Sequence, residues 1–202
     1  MFSSQPDIAN PWKFFLEARE SARAQNDPLT DLAYFATVNA YGQPSLRSLV
    51  LRHADDEGIR VFLNTLSPKW EDLQENPEYE ILCYWPTLKQ QFRVRGSWLL
   101  LPKEEILQGW QKQPHESKIL DWYYQTHEQQ SSPITFEDFT KGMNEVSSLY
   151  PDEVPMAPTA SGLLLIPDSI EWLKIEGESR CHLRMKFERQ ADDGWESQLL
   201  VP

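Results

Sequence analysis

The sequence is short of cysteine and of basic residues. It has two cysteines, Cys83 and Cys181, among 202 residues, which excludes a disulfide framework and leaves no CxxC metal or redox motif. Both thiols lie in apolar or strand-like stretches and are expected to be buried and inert. Lys and Arg number 19 against 31 Asp and Glu, so the formal net charge is −12 at pH 7. Because nucleic acids and anionic membranes repel such a chain, we expect neither as a partner.

Long apolar runs and common catalytic motifs are missing as well. The longest apolar runs, 98–101 and 163–166, are far shorter than the ~20 residues of a membrane helix. The first residues lack the basic and apolar regions of a signal peptide, so we expect a cytoplasmic protein. No GxGxxG, Walker A, HExxH or GxSxG motif occurs, and the four histidines show no metal-ligand spacing. We therefore predict no metal site.

What the chain does have is apolar and aromatic residues in a strand-rich pattern. Apolar residues make up 40% and aromatics 12%, which is enough for a core. The periodicity predicts a helix from Pro11, five strands enclosing a short helix, a helical stretch, and about four more strands. We predict one domain, 1–202, with an N-terminal helical extension at 1–28 and a helical insertion at 102–150. The fold class is mostly antiparallel β with helical additions, most simply a barrel.

The few basic residues fall into short clusters. Arg180, His182 and Arg184 alternate and would line one side of a strand, ~6–7 Å apart. They indicate either a site for an anionic ligand or a solvated face paired with acidic neighbours. Arg47 and Arg52 lie at the two ends of a strand-like segment. Either each contacts a ligand, or both simply lie at the rim of a hairpin.

Two further segments could contact a ligand. Ser67-Pro68-Lys69 begins a predicted helix, with Ser67 as its cap, and a helix start favours an anion near Lys69. In the strand-like segment 90–96, Gln91 shares a face with two arginines, while apolar side chains fill the opposite face. A glutamine there would offer both a donor and an acceptor to a ligand, although a plain surface face is the alternative.

In order and spacing, the chain resembles pyridoxamine 5′-phosphate oxidases over roughly residues 30–202. The similar segments are 44–52, 62–64, 67–69, 76–77, 91–96, 130–132, 153–155 and 180–184, together with the final Leu-Val-Pro. The resemblance implies an FMN-binding split β-barrel homodimer with FMN at the subunit interface. It also implies that a hydride leaves the substrate C4′ for flavin N5 and that oxygen takes the electrons.

The resemblance assigns cofactor and substrate residues by position. Arg47 and Lys69 match contacts to the FMN phosphate, and Gln91 matches the glutamine beside the isoalloxazine ring. The cofactor residues implied are Arg47, Ser48, Leu49, Val50, Leu63, Lys69, Gln91, Gln130, Ser131, Trp172 and Arg184. The catalytic residues implied are Arg180 and His182, which with Arg52 and Ser117 would also bind the substrate.

Some positions depart from the family pattern. Pro68 replaces a basic residue, and around Glu171-Trp172-Leu173 the family reads Glu-Phe-Trp, so Trp172 replaces the usual tryptophan imperfectly. The tyrosine and arginine expected on the helical insertion fall at Gly109 and Gln113, which removes a charge-assisted phosphate contact.

Three functions therefore remain open. The first is an FMN-dependent oxidase of the pyridoxamine-phosphate type, acting on a small phosphorylated or anionic substrate. The second is an FMN-dependent reductase or oxidase of another small molecule. The third is a non-catalytic protein that binds flavin or pyridoxal phosphate.

Overall fold

A computed structural model describes residues 6–127, 129–175 and 182–202. The helices of the described part are α1 (Pro11–Ala24), α2 (Pro68–Glu75), α3 (Lys103–Gln111), α4 (His115–Thr126) and α5 (Phe136–Leu149). The strands are β1 (Leu32–Val38), β2 (Pro44–Val50), β3 (His53–Asp55), β4 (Gly58–Asn64), β5 (Tyr79–Trp85), β6 (Gln90–Leu100), β7 (Ala160–Lys174), β8 (Leu183–Arg189) and β9 (Trp195–Leu200). The predicted class, antiparallel β with helical additions, is confirmed.

The strands form one antiparallel sheet in the order β2-β1-β5-β6-β7-β4-β3, and β8 and β9 extend it from β7. The long strand β7 pairs with β6 along its length, while its first part pairs with β4 and its last part with β8. Early and late strands thus close around one core, as the periodicity predicts.

Strand β7 is continuous over Ala160–Lys174, although the hydrophobic pattern of the sequence indicates two strands in this region, 162–166 and 169–175. The register of β6 shifts between Arg95 and Gly96, opposite Pro167, which has no N–H to donate. At Gly96 the two strands come so close that a Cβ would lie 1.9 Å from the carbonyl oxygen of Ile166. The bulge lets β7 continue through its proline without breaking the sheet.

Helix α1 covers one end of the core. Asn10 caps it by accepting a hydrogen bond of 2.9 Å from Lys13 N, as expected for an asparagine directly before a proline that begins a helix. Trp12 and Phe15 stack at 4.8 Å between ring centroids, and the Phe15 ring also lies 5.4 Å from that of Trp85. This burial of aromatic rings attaches the helix to the sheet.

Arg19 links α1 to the strands below it. Its side chain is buried and donates to the carbonyl oxygens of Thr30 and Leu51 and to the carboxylate of Asp31. These acceptors lie just before β1 and just after β2. A single guanidinium therefore holds the helix, the start of one strand and the end of the next.

Helices α3, α4 and α5 have a smaller core of their own within the predicted insertion. Trp110, Ile119, Tyr123 and Val146 are buried there. Val154, from the segment that follows α5, closes this cluster and accepts the indole N–H of Trp110 at 3.1 Å. Among the described residues, no helix combines the length and apolar character needed to cross a membrane.

Candidate functional site

A cavity of about 260 Å³ lies where α4 faces the ends of β2 and β4 and the start of α2. Polar and apolar side chains alternate around it. Of the residues predicted to contact cofactor or substrate, it is lined by Leu49, Val50, Arg52, Leu63, Lys69, Ser117 and Gln130. The structure therefore brings together residues from five parts of the chain, because the end of β2, β4, α2, α4 and the turn after α4 meet at this point.

Lys69 carries a partly buried charge that forms no ion pair within 4.0 Å among the described residues. It is the second residue of α2, and its Nζ donates to Oε1 of Gln130 at 3.4 Å. Burial and the nearby charge of Arg47 lower the pKa of Lys69 to about 8, while the charge of Asp121 acts in the opposite direction. An anion in the cavity would stabilise the charged lysine.

Arg47 is held rigidly beside this cavity. Its guanidinium donates to Thr37 Oγ1 at 2.7 Å and to the carbonyl oxygen of Phe35 at 3.2 Å, and it lies 3.7 Å from the carboxylate of Asp72. The guanidinium carbon is also 5.9 Å from the centre of the Phe35 ring. Burial lowers the pKa of Arg47, and Asp72 opposes that effect. Arg47 is the middle residue of β2 and not at a strand end, where the sequence led us to expect it, and these contacts hold its guanidinium in place.

The start of α2 has a free hydroxyl. Ser67 is the N-cap residue, but its side chain makes none of the capping bonds predicted from the sequence. Its Oγ is buried and has no hydrogen-bond partner among the described residues. A hydroxyl without a partner, a lysine without an ion pair at contact distance among the described residues, and an arginine held in place together suit the oxygens of a phosphate group.

The turn that carries Gln130 has an unusual backbone. Ser131 adopts φ 73°, in the left-handed region that residues other than glycine rarely occupy. A hydrogen bond of 3.1 Å from Ser132 N to the carbonyl oxygen of Gln129 closes this turn. Strain of this kind is common at binding sites, and the neighbouring Gln130 is the residue that contacts Lys69.

Other predicted cofactor residues lie elsewhere. Gln91 on β6 pairs with Leu173 on β7, which pairs with Arg184 on β8, so these three side chains share the outer face of the sheet. Glu171 holds the Arg184 guanidinium in a two-point contact at 3.0 and 3.1 Å. Neither Gln91 nor Arg184 lines the cavity. Ser48 is exposed on β2.

Comparisons with known proteins match one family. The family model described as pyridoxamine 5′-phosphate oxidase matches residues 28–141. The chain is also 33% identical over 202 residues to the pyridoxine/pyridoxamine 5′-phosphate oxidase of Anaeromyxobacter dehalogenans (strain 2CP-C), covering 99% of this chain and 98% of the relative. The chain belongs to the pyridoxamine 5′-phosphate oxidase family. Its identity to the Hyphomonas neptunium enzyme of the same name is 30%, covering 98% of this chain and 89% of the relative.

Solved structures agree with the family's fold. The structure of PhzG from Burkholderia lata 383, in complex with tetrahydrophenazine-1-carboxylic acid, matches with a TM-score of 0.85 at 22% identity, covering 96% of this chain and 94% of PhzG. A pyridoxamine 5′-phosphate oxidase-related, FMN-binding protein from Nostoc punctiforme PCC 73102 matches at 0.74 with 23% identity, covering 97% and 100%. The predicted split β-barrel is confirmed.

Within this family member, the side chain of Trp172 faces the core, on the side of β7 opposite to the face of Gln91. Its ring is buried in the core, perpendicular to that of Phe14 at 5.2 Å, and its indole N–H donates to Gln90 at 3.1 Å. Because side chains alternate along β7, position 173 shares the face of Gln91 and position 172 cannot. Leu173 is therefore the side chain between Gln91 and Arg184.

The predicted catalytic pair is only partly described. Arg180 lies outside the described residues, as does Cys181. His182 immediately precedes β8, and its Nδ1 is buried without a hydrogen-bond partner among the described residues. An imidazole nitrogen with no partner is available to a ligand.

Gly109 and Gln113, the two departures from the family pattern on the helical insertion, occupy different places. Gly109 packs against Phe62, and a Cβ there would lie 2.3 Å from Cε1 of that ring. Gln113 lines the cavity, and its Oε1 is buried with no partner among the described residues. Any side chain at position 109 would thus displace Phe62 from the cavity wall.

Sequence reasoning missed Asp121 and Asn64. Both line the cavity, and Asn64 Nδ2 donates to Asp121 Oδ1 at 3.1 Å. The spacing of four residues from Ser117 on a predicted helix was the available signal, since it puts Asp121 on the same face one turn further on.

Proposed function

We propose that this chain is an FMN-dependent oxidoreductase that resembles pyridoxine/pyridoxamine 5′-phosphate oxidases. The observation that carries the proposal is Lys69, a partly buried cation with no ion pair within 4.0 Å among the described residues, in a cavity of a chain of this family. When bound, FMN supplies the ring that accepts a hydride from substrate C4′ and passes electrons to oxygen.

The residues around the cavity would hold the phosphate end of the cofactor. Arg47 and Lys69 supply positive charge, and the hydroxyl of Ser67 is free to donate a hydrogen bond. Gln130 already contacts Lys69 Nζ and would keep it oriented. The adjoining apolar side chains of Leu49 and Leu63 would exclude water, which strengthens these charge interactions.

We also propose a homodimer, in which the outer face of one subunit completes the cavity of the other. Gln91, Arg184 and His182 are available for this role because they lie away from the cavity of their own chain. Leu99 and Leu100 are neighbours on β6, so their side chains point to opposite faces of the sheet. Both are largely exposed, with 58% and 60% of their surfaces accessible. Exposed leucines on both faces support a partner chain that covers this end of the strand.

The residues proposed to bind the substrate are likewise divided between the cavity and the outer face. Arg52 and Ser117 line the cavity and would bind an anionic or polar group of the substrate. His182, with its unpartnered Nδ1, would hold the substrate against the cofactor or donate a proton to it. Arg180 is proposed for the same role on the resemblance alone.

Purification and spectroscopy test the proposal. The protein should be yellow, with a flavin absorption spectrum and about one FMN per chain after reconstitution. Oxygen consumption and hydrogen peroxide formation on adding pyridoxamine 5′-phosphate or pyridoxine 5′-phosphate would identify an oxidase of phosphorylated substrates. A protein that binds no flavin would contradict the proposal, and a flavoprotein that uses neither compound would contradict the oxidase of phosphorylated substrates.

A second candidate is an FMN-dependent reductase or oxidase of another small molecule. Gly109 and Gln113 favour it, because neither provides a charge for a substrate phosphate. The PhzG structure contains a phenazine carboxylic acid, so a ligand of another class occurs on this fold. Reduction of the flavin by a nicotinamide cofactor would identify a reductase, whereas a chromophore that no donor reduces would identify a binding protein.

A further inference from the structure

One wall of the cavity is a row of positions at helical spacing. Gln113 connects α3 to α4, and Ser117 and Asp121 follow at intervals of four residues on α4. Residues four apart lie one above the other on a helix. The wall therefore presents an amide, a hydroxyl and a carboxylate to the same space.

Asp121 is an acceptor with unused capacity. Its one hydrogen bond within the described residues is from Asn64, whose Oδ1 in turn accepts Leu66 N at 2.8 Å, and no ion pair reaches the carboxylate within 4.0 Å. A carboxylate has about four acceptor positions. Burial raises the pKa of Asp121, and the Asn64 hydrogen bond and the Lys69 charge oppose this. A donor from a ligand would satisfy the remaining acceptor sites.

Gln113 adds a second unsatisfied acceptor to the same wall. Its Oε1 is buried and lacks a donor within the described residues. Leaving a buried acceptor unpaired is unfavourable unless a ligand or water supplies the missing hydrogen. Positions 113 and 121 are about 12 Å apart at helical spacing, so each acceptor would need its own N–H or ammonium group from a ligand.

A phosphate ester suits this wall poorly. A phosphate dianion brings only acceptor oxygens, and its charge has the same sign as that of Asp121. The basic side chains among the described lining residues are Arg52 and Lys69. If Lys69 takes the phosphate of the flavin, Arg52 is left as the one cation of this lining for the substrate.

We propose that the substrate is a small molecule without a phosphate group, whose amine or ring N–H donates to Asp121. The inference rests on the proposed function, since it assigns the substrate class of the same cavity. Asp121 acts as the specificity-determining residue: it attracts a donor and repels a second phosphate. Arg52 is free to pair with a carboxylate or another single negative charge on such a molecule.

Two probes that differ only in the phosphate test this without any variant. Pyridoxamine and pyridoxamine 5′-phosphate are titrated into the FMN-reconstituted protein by isothermal titration calorimetry. We expect a lower Kd for pyridoxamine than for its phosphate ester. Tighter binding of the phosphate ester, or binding of neither probe, overturns the proposal.

The variant Asp121→Asn then tests the residue itself, with Glu116→Gln on the exposed side of the same helix as its control. Asp121→Asn should raise the Kd for pyridoxamine about tenfold and leave that for the phosphate ester unchanged or lower. Glu116→Gln should change neither. If Asp121→Asn weakens FMN binding but leaves the ratio of the two probes unaltered, the carboxylate serves the cofactor and the proposal is wrong.

These outcomes are distinct from failure of the proposed function. A protein that never binds FMN contradicts the flavin assignment, and the same titrations of the flavin-free protein still report which probe the wall prefers. A flavoprotein that prefers the phosphate ester retains the proposed function and overturns only the substrate class.

Discussion

At the scale of single residues, the site is built from groups whose interactions are incomplete. Among the described residues, the charged amine of Lys69 has one hydrogen bond, of 3.4 Å to Gln130. The hydroxyl of Ser67 and Nδ1 of His182 have no partners among the described residues. Buried polar groups are normally satisfied. Groups that are not satisfied identify the surface that a ligand completes.

The lowered pKa of Lys69 predicts how flavin binding depends on pH. Near pH 7 the lysine of the flavin-free protein is largely charged, and above its pKa of about 8 it is largely neutral. Because the FMN phosphate binds the charged form, its affinity should fall about tenfold between pH 7 and pH 9. Titration of flavin fluorescence at the two pH values measures this change.

Riboflavin and Lys69→Met are the controls for that experiment. Riboflavin lacks the phosphate, so its affinity should stay constant over the same range, as should that of FMN for Lys69→Met. In the flavin-free protein, the free energy of unfolding should rise as the pH increases above about 8. Above this pH the folded chain has lost the proton of Lys69, whereas the unfolded chain, in which lysine has its ordinary higher pKa, still binds it. A pH-independent FMN affinity in the unmodified protein would show that Lys69 does not bind the phosphate.

At the scale of elements, α1 is fastened by one buried arginine. Arg19 is 4% exposed and bonds to the two carbonyl oxygens of Thr30 and Leu51, whereas Arg23 on the next turn is exposed and pairs with Asp31 and Glu20. The same helix therefore carries a buried and a surface arginine that share the acceptor Asp31. Comparing substitutions of Arg19 and Arg23 therefore separates the effect of burial on stability from the effect of charge.

Arg19→Met should lower the free energy of unfolding by about 2–4 kcal/mol, because it leaves buried carbonyl oxygens without donors. Arg23→Met should change it by less than about 1 kcal/mol, since surface ion pairs contribute little. Urea denaturation followed by tryptophan fluorescence measures both. Equal losses for the two variants would contradict the linking role of Arg19.

At the scale of the whole molecule, the proposed site is divided between two surfaces. The cavity carries Lys69 and Gln130, and the outer face of β6, β7 and β8 carries Gln91 and Arg184. If a second copy supplies the outer face, every complete site contains both chains. Symmetric dimers then have two equivalent sites.

Mixing two damaged proteins tests this arrangement. Lys69→Met removes a charge from the cavity, and Arg184→Met removes one from the outer face, so each variant alone should bind FMN weakly. After unfolding and refolding together, half of the dimers are mixed and each has one intact site, which restores about a quarter of the tight FMN sites. Recovery of none would show that one chain holds the cofactor by itself.

The local elements followed from the sequence because their causes are local. The Asn10 cap, the bulk of α1 and the alternation of Phe92 and Val94 toward the core depend on neighbours a few residues away, and all match the structure. Two strands predicted at 162–166 and 169–175 are one. The bulge that joins them depends on Gly96, some seventy residues earlier in the chain.

The site followed from the sequence only in part. The resemblance selected Arg52, Lys69, Ser117 and Gln130, which the structure brings to one cavity. It also selected Trp172, whose orientation is determined by the alternation of β7 and by core packing against Phe14. A one-residue difference in register reverses the face of a side chain, so position alone could not assign it.

The sequence by itself determined the family, the antiparallel barrel and the clusters of basic residues, because these depend on composition, periodicity and the order of short motifs. Only the tertiary structure decided which charges lack a partner and which acceptors share a wall with them. Burial and distance set the pKa of Lys69 and bring Asp121 next to Asn64, 57 residues away in the chain. Such quantities arise from groups brought together by folding, and no local pattern encodes them.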